Sequence, residues 1–552
     1  MVVCVISIAA CSKPDIPKRP ELPESPYPLH LEKLYPPASD VTPWWEDAIF
    51  YQVFVRSFYD TRQGELADDG IGDLPGLIEK LDYLNDGDPT TDTDLGVNAI
   101  WLMPINPSES YHGYDVTNYY DVNPEYGSLD DMRLLVSEAH KRGMRVIIDL
   151  VINHTSDEHP WFEHAKDQNS PYHSWYKWAY EQQGWRGFQG QYVWHELKWW
   201  DRGWGQLNYL TYYGVFGKHM PDLNLSDPAP TQAIYDIVDF WLSDIRVDGF
   251  RLDALRHLVN IDKENQVDTE ETHEWLRQFY QHYKSINPEA FTVGEVWAHS
   301  NVLRDYYPNQ MDLAFEFDLG GDIIRGLDYG ERQYIDKALK QTLDIFQDQH
   351  FATFLSNHDQ NRVMTQLMKD KEKAKGAAHV LFSLPGTPFI YYGEEIGLSG
   401  KKPDRQIRTP MQWDGSDYSG FSTSSTWQNV KRYYPKVNVA LQQQQPNSFL
   451  SIYKRLIRLR QQNPVLTHGD VEFISLGDER LFSIKRSDKH HTLWVISNLD
   501  KEPQTLSLDG ITPQPVMLDL LSNQSVNTLS LDLAGFQTRW LVAAPQSEVA
   551  NQ

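Results

Sequence analysis

Apolar residues in this chain follow two rhythms. Short apolar runs occur at Ile49–Val53, Ala99–Met103, Arg145–Val151, Gly249–Asp253, Thr292–Trp297, Leu313–Phe317, Thr353–Ser356 and Phe389–Tyr392. Between them, segments such as Leu129–Arg142 and Thr231–Ile245 place apolar residues three and four apart, the helical period. Strand runs alternating with helical runs predict βα units and a parallel sheet. Eight such units predict a closed (β/α)8 TIM barrel. Two stretches break the rhythm. Asn153–Pro230 is far longer than a plain βα loop of about 2–6 residues and is rich in Trp, Tyr, Gly, His and Gln. It predicts a subdomain inserted after strand 3 and overhanging the barrel. Gly397–Pro435 is a second long polar loop. After a helical run at Phe449–Gln461, alternation returns at Val471–Leu476, Leu481–Arg486, Thr492–Asn498, Gln504–Leu508, Val516–Asp519 and Thr538–Ala543. This predicts a C-terminal all-β sandwich.

The chain therefore divides into a barrel at 44–152 and 223–464, an inserted domain at 153–222, and a β-domain at 465–552. Residues 12–43 are Pro-rich and predict an extended tether. Residues 1–11 are apolar and end Ile8-Ala9-Ala10-Cys11, which resembles the lipobox of bacterial lipoprotein signals. That resemblance implies lipidation of Cys11 and an exported protein anchored at the periplasmic or outer face of a membrane. The only other cysteine is Cys4, so the folded body is expected to hold no disulfide and no cysteine metal site. A net charge of −27 argues against nucleic acid and against an anionic membrane surface as partners. Membrane contact is expected through the anchor alone, and a monomer is expected. A neutral polymer suffers no such repulsion. The chain holds 18 Trp, 30 Tyr and 22 Phe, whose planes suit the apolar faces of sugar rings. The cluster Trp194, Trp199, Trp200, Trp204, Tyr209, Tyr212 and Tyr213 is the strongest candidate for such a platform.

Four runs end in charged or imidazole side chains: Asp149–His154, Gly249–Asp253, Val293–Trp297 and Phe354–Asp359. In a barrel, the C-terminal ends of the strands converge on one mouth. Three carboxylates gathered there suit glycosidic bond chemistry. Together these motifs resemble the α-amylase family, glycoside hydrolase family 13, from about Trp44 to the C-terminus. The resemblance implies that Asp253 is the nucleophile, Glu295 the general acid and then base, and Asp359 a third carboxylate that holds sugar hydroxyls. Arg251 lies two residues before Asp253, on the same strand face, where it would orient that carboxylate. Glu295 needs a raised pKa, for which neighbouring acids and Trp297 are the expected sources. Within Tyr111-His112-Gly113-Tyr114-Asp115, the resemblance implies that His112 binds sugar hydroxyls, Tyr114 stacks beneath the sugar and Asp115 lies near it. His154 and His358 are expected to bind the same sugar.

The resemblance further implies Ca²⁺ at the base of the inserted domain, through Asn153, Asp222 and the carbonyl of His257. A second candidate loop offers Asp60, Asp69, Ile71 and Asp73. Met220-Pro221-Asp222-Leu223-Asn224 resembles the subfamily intermediate between oligo-1,6-glucosidases and neopullulanases. Ala254 is small where α-1,6-specific relatives carry Val, so an α-1,4-glucan hydrolase is expected. Arg408-Thr409-Pro410-Met411-Gln412-Trp413 is shared with exo-acting glucosidases and trehalose synthases, which keeps exo-acting α-glucosidase and transglycosylase open. A glucan-binding lipoprotein without catalysis is the remaining alternative.

Overall fold

The computed structural model describes residues 13–34, 42–180, 183–201 and 206–544. Eight parallel strands form one sheet: β1 (Phe50–Val53), β2 (Ala99–Leu102), β3 (Arg145–Leu150), β4 (Gly249–Leu252), β5 (Phe291–Gly294), β6 (Leu313–Ala314), β7 (Ala352–Phe354) and β8 (Thr387–Tyr391). Neighbours pair in chain order, and β8 returns to β1 through Phe50 and Phe389. A single parallel bridge, Phe315 to Ala352, joins β6 to β7 and closes the barrel. All eight expected strands are present, with ends moved by up to three residues.

Side chains alternate across a strand, so every second residue points inward. The inward set begins with Phe50, Ala99, Ile147, Phe291, Leu313, Ala352 and Phe389, which form one buried apolar cluster with Trp44, Trp45 and Trp101. The Phe50 ring lies parallel to Phe389 at 4.3 Å and stacks on Phe291 at 5.2 Å. This plug fills the lower barrel. The same inward set ends, one strand step higher, in Gln52, Asp149, Arg251 and, just past the strand end, Glu295. The polar floor of the mouth is therefore the continuation of the apolar plug.

Helices cover the barrel. Leu129–Lys141 begins with a capping box, in which Ser128 and Asp131 each bond the other's backbone N–H. The expected helix Thr231–Ile245 is two pieces, an α-helix at Pro228–Asp239 and a wider π turn at Phe240–Ile245 that ends on left-handed Arg246. The inserted segment carries an antiparallel sheet of Trp178–Ala179, Gln206–Tyr213 and Trp194–Asp201, in that order. Its two chain ends meet at a neck, where Leu223 N–H bonds the Asn153 carbonyl and Thr155 N–H bonds that of Pro221. The C-terminal domain has a six-stranded antiparallel sheet facing a two-stranded one over its own apolar cluster.

The Pro-rich segment does not hang free over residues 13–34. Ile16, Leu22 and Leu29 pack against the main core. Arg19 Nε lies 2.8 Å from Asp244, His164 bonds the Pro14 carbonyl at 2.9 Å, and Ser137 bonds the Pro28 carbonyl. It is a strap laid across the barrel helices and the inserted domain. Cys11 lies outside the described residues.

Candidate active site

Arg251 organises the barrel mouth. Its Nη1 lies 2.7 Å from Asp253 Oδ1 and 2.7 Å from Asp149 Oδ1, and its Nη2 lies 2.8 Å from Glu295 Oε2. The guanidinium is buried against the face of Trp101, 5.4 Å from the ring centre. Charge-assisted pairs of this kind are short and directional. The sequence placed Asp253 and Arg251 on one face of β4; the structure adds that the same fork reaches Glu295 on β5.

Ala254, directly after Asp253, adopts left-handed φ 55° and ψ 36°. A residue with a Cβ is strained there. In this conformation the Ala254 N–H meets Glu295 Oε2 at 3.2 Å. Burial pushes the Glu295 carboxyl up, Arg251 pulls it down, and the charges of Asp253 and Asp359 push it up again, leaving it at about 8. Trp297 does not supply that burial, contrary to expectation. Its ring is half exposed and stacks on Phe317 at 5.1 Å.

Across the mouth stands a second charged group. Arg408 Nη2 lies 2.7 Å from Asp359 Oδ1, and its Nε bonds the His358 carbonyl at 2.9 Å. Burial alone would raise Asp359, but His358 and Arg408 outweigh it and hold the carboxylate well below its usual range. His358 Nδ1 lies 2.7 Å from the Gln52 amide nitrogen. That contact makes Nδ1 the acceptor and leaves Nε2 carrying the proton, 2.6 Å from the Tyr114 hydroxyl and 3.1 Å from Asp359 Oδ2. Tyr114 stacks over His358 at 5.6 Å and bonds Asp149 Oδ2 at 3.0 Å. His154 Nε2 bonds the Tyr114 carbonyl at 3.0 Å. His112 Nδ1 accepts the Tyr114 N–H at 3.1 Å, and Asp115 accepts the hydroxyls of Ser108 and Ser110. Burial lowers His112, His154 and His358, against the pull of nearby carboxylates. One mouth thus brings together His112, Tyr114, Asp115, His154, Arg251, Asp253, Glu295, His358 and Asp359.

Three members escaped the sequence reading. Asp149 is fully buried, pushed up by burial and pulled back by Arg251 to about 7. Its inward parity with Ile147 was a usable signal. Gln52 shares the inward parity of Phe50. Arg408 sits in the loop after β8; the motif Arg408–Trp413 marked it in the sequence, but only as a sign of exo-acting or transfer relatives and not as a member of the mouth.

At the neck of the inserted domain, Asn153 Oδ1 and Asp222 Oδ2 are buried without a hydrogen-bond partner. Burial raises Asp222 to about 7, although the Val215 N–H, Asn153 and Lys177 act against it. Uncompensated hard oxygens in a buried place suit a hard cation. His257 turns its ring toward Phe188 and Phe216, each 5.3 Å away, and its Nδ1 is likewise buried without a hydrogen-bond partner. In the second loop, Asp60 Oδ1 is buried and unpartnered, Asp69 accepts the Ile71 N–H, and Asp73 caps a helix through Gly76. Among the described residues, no group of three or more His, Cys, Asp and Glu side chains is gathered as a metal cluster. The expected aromatic platform is different in kind. Trp194, Tyr212 and Tyr213 are buried in packing, and the side chains of Trp199, Trp200, Trp204 and Tyr209 lie outside the described residues.

With this geometry in view, residues 52–469 match the family described as "Alpha amylase, catalytic domain". Alpha-amylase 3 of Dictyoglomus thermophilum is 36% identical over 475 residues, covering 85% of this chain and 88% of that protein. The oligo-1,6-glucosidase of Parageobacillus thermoglucosidasius is 31% identical over 555 residues, covering 88% and 95%. The crystal structure of the alpha-amylase from H. orenii superposes with a TM-score of 0.77 at 37% identity, over 90% of this chain and 99% of that one. The chain belongs to the α-amylase family and is a glycoside hydrolase of that type.

Proposed function

We propose that the mouth performs retaining hydrolysis of α-1,4-glucosidic bonds in starch, maltodextrin or maltooligosaccharides. The supporting observation is the single guanidinium of Arg251 spanning Asp253 and Glu295. It favours the short carboxyl separation, about 5–5.5 Å, that retention uses. Asp253, paired with Arg251, attacks the anomeric carbon. Glu295, protonated, gives its proton to the leaving oxygen. Water then attacks the ester while Glu295 takes its proton, releasing sugar with its original configuration. Asp359, held ionised by Arg408, binds hydroxyls together with His154 and His358, and Tyr114 lies beneath the ring.

A slow 2-fluoro maltosyl substrate should leave an adduct on the peptide carrying Asp253, read by mass spectrometry. An adduct elsewhere, or inversion at the anomeric carbon by NMR, overturns the reading. Exo action or transglycosylation is the second reading, supported by the likeness to an oligo-1,6-glucosidase. Early mid-size products from long maltodextrin mean endo cleavage, whereas glucose alone means exo. Unaltered hydrolysis by Glu295→Gln would turn the assignment over entirely.

Asn153 and Asp222 would hold Ca²⁺ at the neck, with the His257 carbonyl; Asp60, Asp69, Ile71 and Asp73 form a second candidate. A bound ion would fix the inserted domain against the barrel. Chelation should lower Tm, and added Ca²⁺ should restore it less fully in Asp222→Asn. Lipidation at Cys11 would place the enzyme at a membrane face. Membrane fractionation of wild type and Cys11→Ala tests it.

A further inference from the structure

Gln52 is 2% exposed, which leaves almost none of it to meet a sugar. The barrel nevertheless holds it firmly. Its backbone pairs with Trp101 on β2 and with Tyr391 on β8, and its carbonyl accepts the Tyr392 N–H at 3.0 Å. The sheet therefore aims the side-chain amide, whose nitrogen meets His358 Nδ1 at 2.7 Å. Two other neighbours of His358 call for a proton on Nε2. Asp359 Oδ2, of a carboxylate paired with Arg408, lies 3.1 Å away. The Tyr114 oxygen lies 2.6 Å away and donates its own proton to Asp149 Oδ2 at 3.0 Å, which leaves the oxygen to accept. The edge of the ring faces Trp101 at 5.7 Å, and the remaining charges near it, Arg408 and Arg251, both disfavour a positive imidazole. A neutral ring protonated on Nε2 has a lone pair on Nδ1, where only a donor fits. A doubly protonated ring would set two N–H groups against each other across the 2.7 Å contact with Gln52.

We propose that Gln52 is a positioning residue: its amide N–H fixes His358 in the tautomer that presents an Nε2–H, and not a lone pair, to the sugar hydroxyl shared with Asp359. This rests on the retaining reading above, in which His358 and Asp359 bind that sugar. An imidazole in the wrong tautomer keeps its place and loses its function.

Gln52→Met keeps the side-chain length and removes the donor. It should lower kcat/KM on maltopentaose roughly tenfold, by the same factor at every pH. Gln52→Glu replaces the donor by an acceptor. The ionised carboxylate draws the proton to Nδ1 and turns the Nε2 lone pair on Asp359. One added proton, on the carboxyl or on the ring, restores Nε2–H. The deficit of Gln52→Glu relative to wild type should therefore be roughly tenfold smaller at pH 5 than at pH 9. In a His358→Asn background, Gln52→Met should cost nothing further, because it acts through that ring. Equal deficits of Gln52→Glu at pH 5 and pH 9, or a full additional loss in the His358→Asn background, overturn the inference alone. A wild type inert on maltopentaose overturns it together with the proposed function.

Discussion

Glu295 must keep its proton until substrate arrives, and its surroundings set the pH at which it fails. Burial and two acidic neighbours hold the carboxyl at about 8 against the pull of Arg251. The kcat/KM of the free enzyme should therefore fall tenfold per pH unit above about 8. A pH–rate profile already falling at pH 6 would contradict this. The same shift carries a stability cost. The folded carboxyl binds its proton up to about 8 and the unfolded one only up to about 4.5, so stability declines as pH rises between those values. Glu295→Gln should consequently raise Tm more at pH 8 than at pH 5, measured by calorimetry. Asp253 and Glu295 were legible in the sequence because they end apolar runs. Asp149 was not weighted, because its neighbours Asn153 and His154 carried the motif and its coupling to Arg251 is a contact across strands.

Elements decide how exactly placed such residues can be. Gly294 ends β5 immediately before Glu295, and a Cβ there would stand 2.3 Å from Met311 Sδ and 2.6 Å from Leu255 Cδ1. Gly294→Ala should cost about 1–3 kcal/mol in overpacking. By moving the strand end it should also cut kcat by more than the stability loss alone explains; urea melts beside kcat measurements separate the two. Ala254→Val puts a β-branched residue into left-handed backbone, where such residues are more strained than Ala. Its Tm should drop, and α-1,4 turnover should fall further than α-1,6 turnover. The eight barrel strands were legible because apolar runs alternate with helical period. Two strands of the C-terminal domain, Gln524–Asn527 and Leu531–Leu533, were not. The first is polar and largely exposed, and the second has three residues, too few for a pattern. The docked strap was equally illegible, since proline fixes an extended backbone without saying what lies beneath it.

At the scale of the molecule, sequence-distant segments meet under the barrel in one charged clasp. Glu46 and Asp47 belong to the turn Trp44–Asp47 that opens the barrel, and His468 to the helix Val465–His468 that leads into the C-terminal domain. His468 lies 2.8 Å from Asp47 and 3.3 Å from Glu46, and Glu46 also reaches His350 at 2.8 Å. Asp348 faces His350 from the same loop at 3.2 Å, and the buried Arg460 feels Asp47 from the preceding helix. Hydrogen bonds to Asp47 and Glu46 raise His468 to about 9 against the effect of burial. Burial works against Glu46 too, yet bonds from His350 and His468 lower it to about 2. A raised imidazole contributes its full stability below its unfolded value near 6.5 and loses it as pH rises through about 9. A lowered carboxyl contributes above about 4.5 and loses it as pH falls toward 2. The clasp is therefore strongest between those limits, near pH 5–6. His468→Gln should lower Tm most near pH 6, and the difference from wild type should vanish by pH 10. A Tm difference that stays constant from pH 6 to pH 10 would mean that His468 acts through packing and not through its charge.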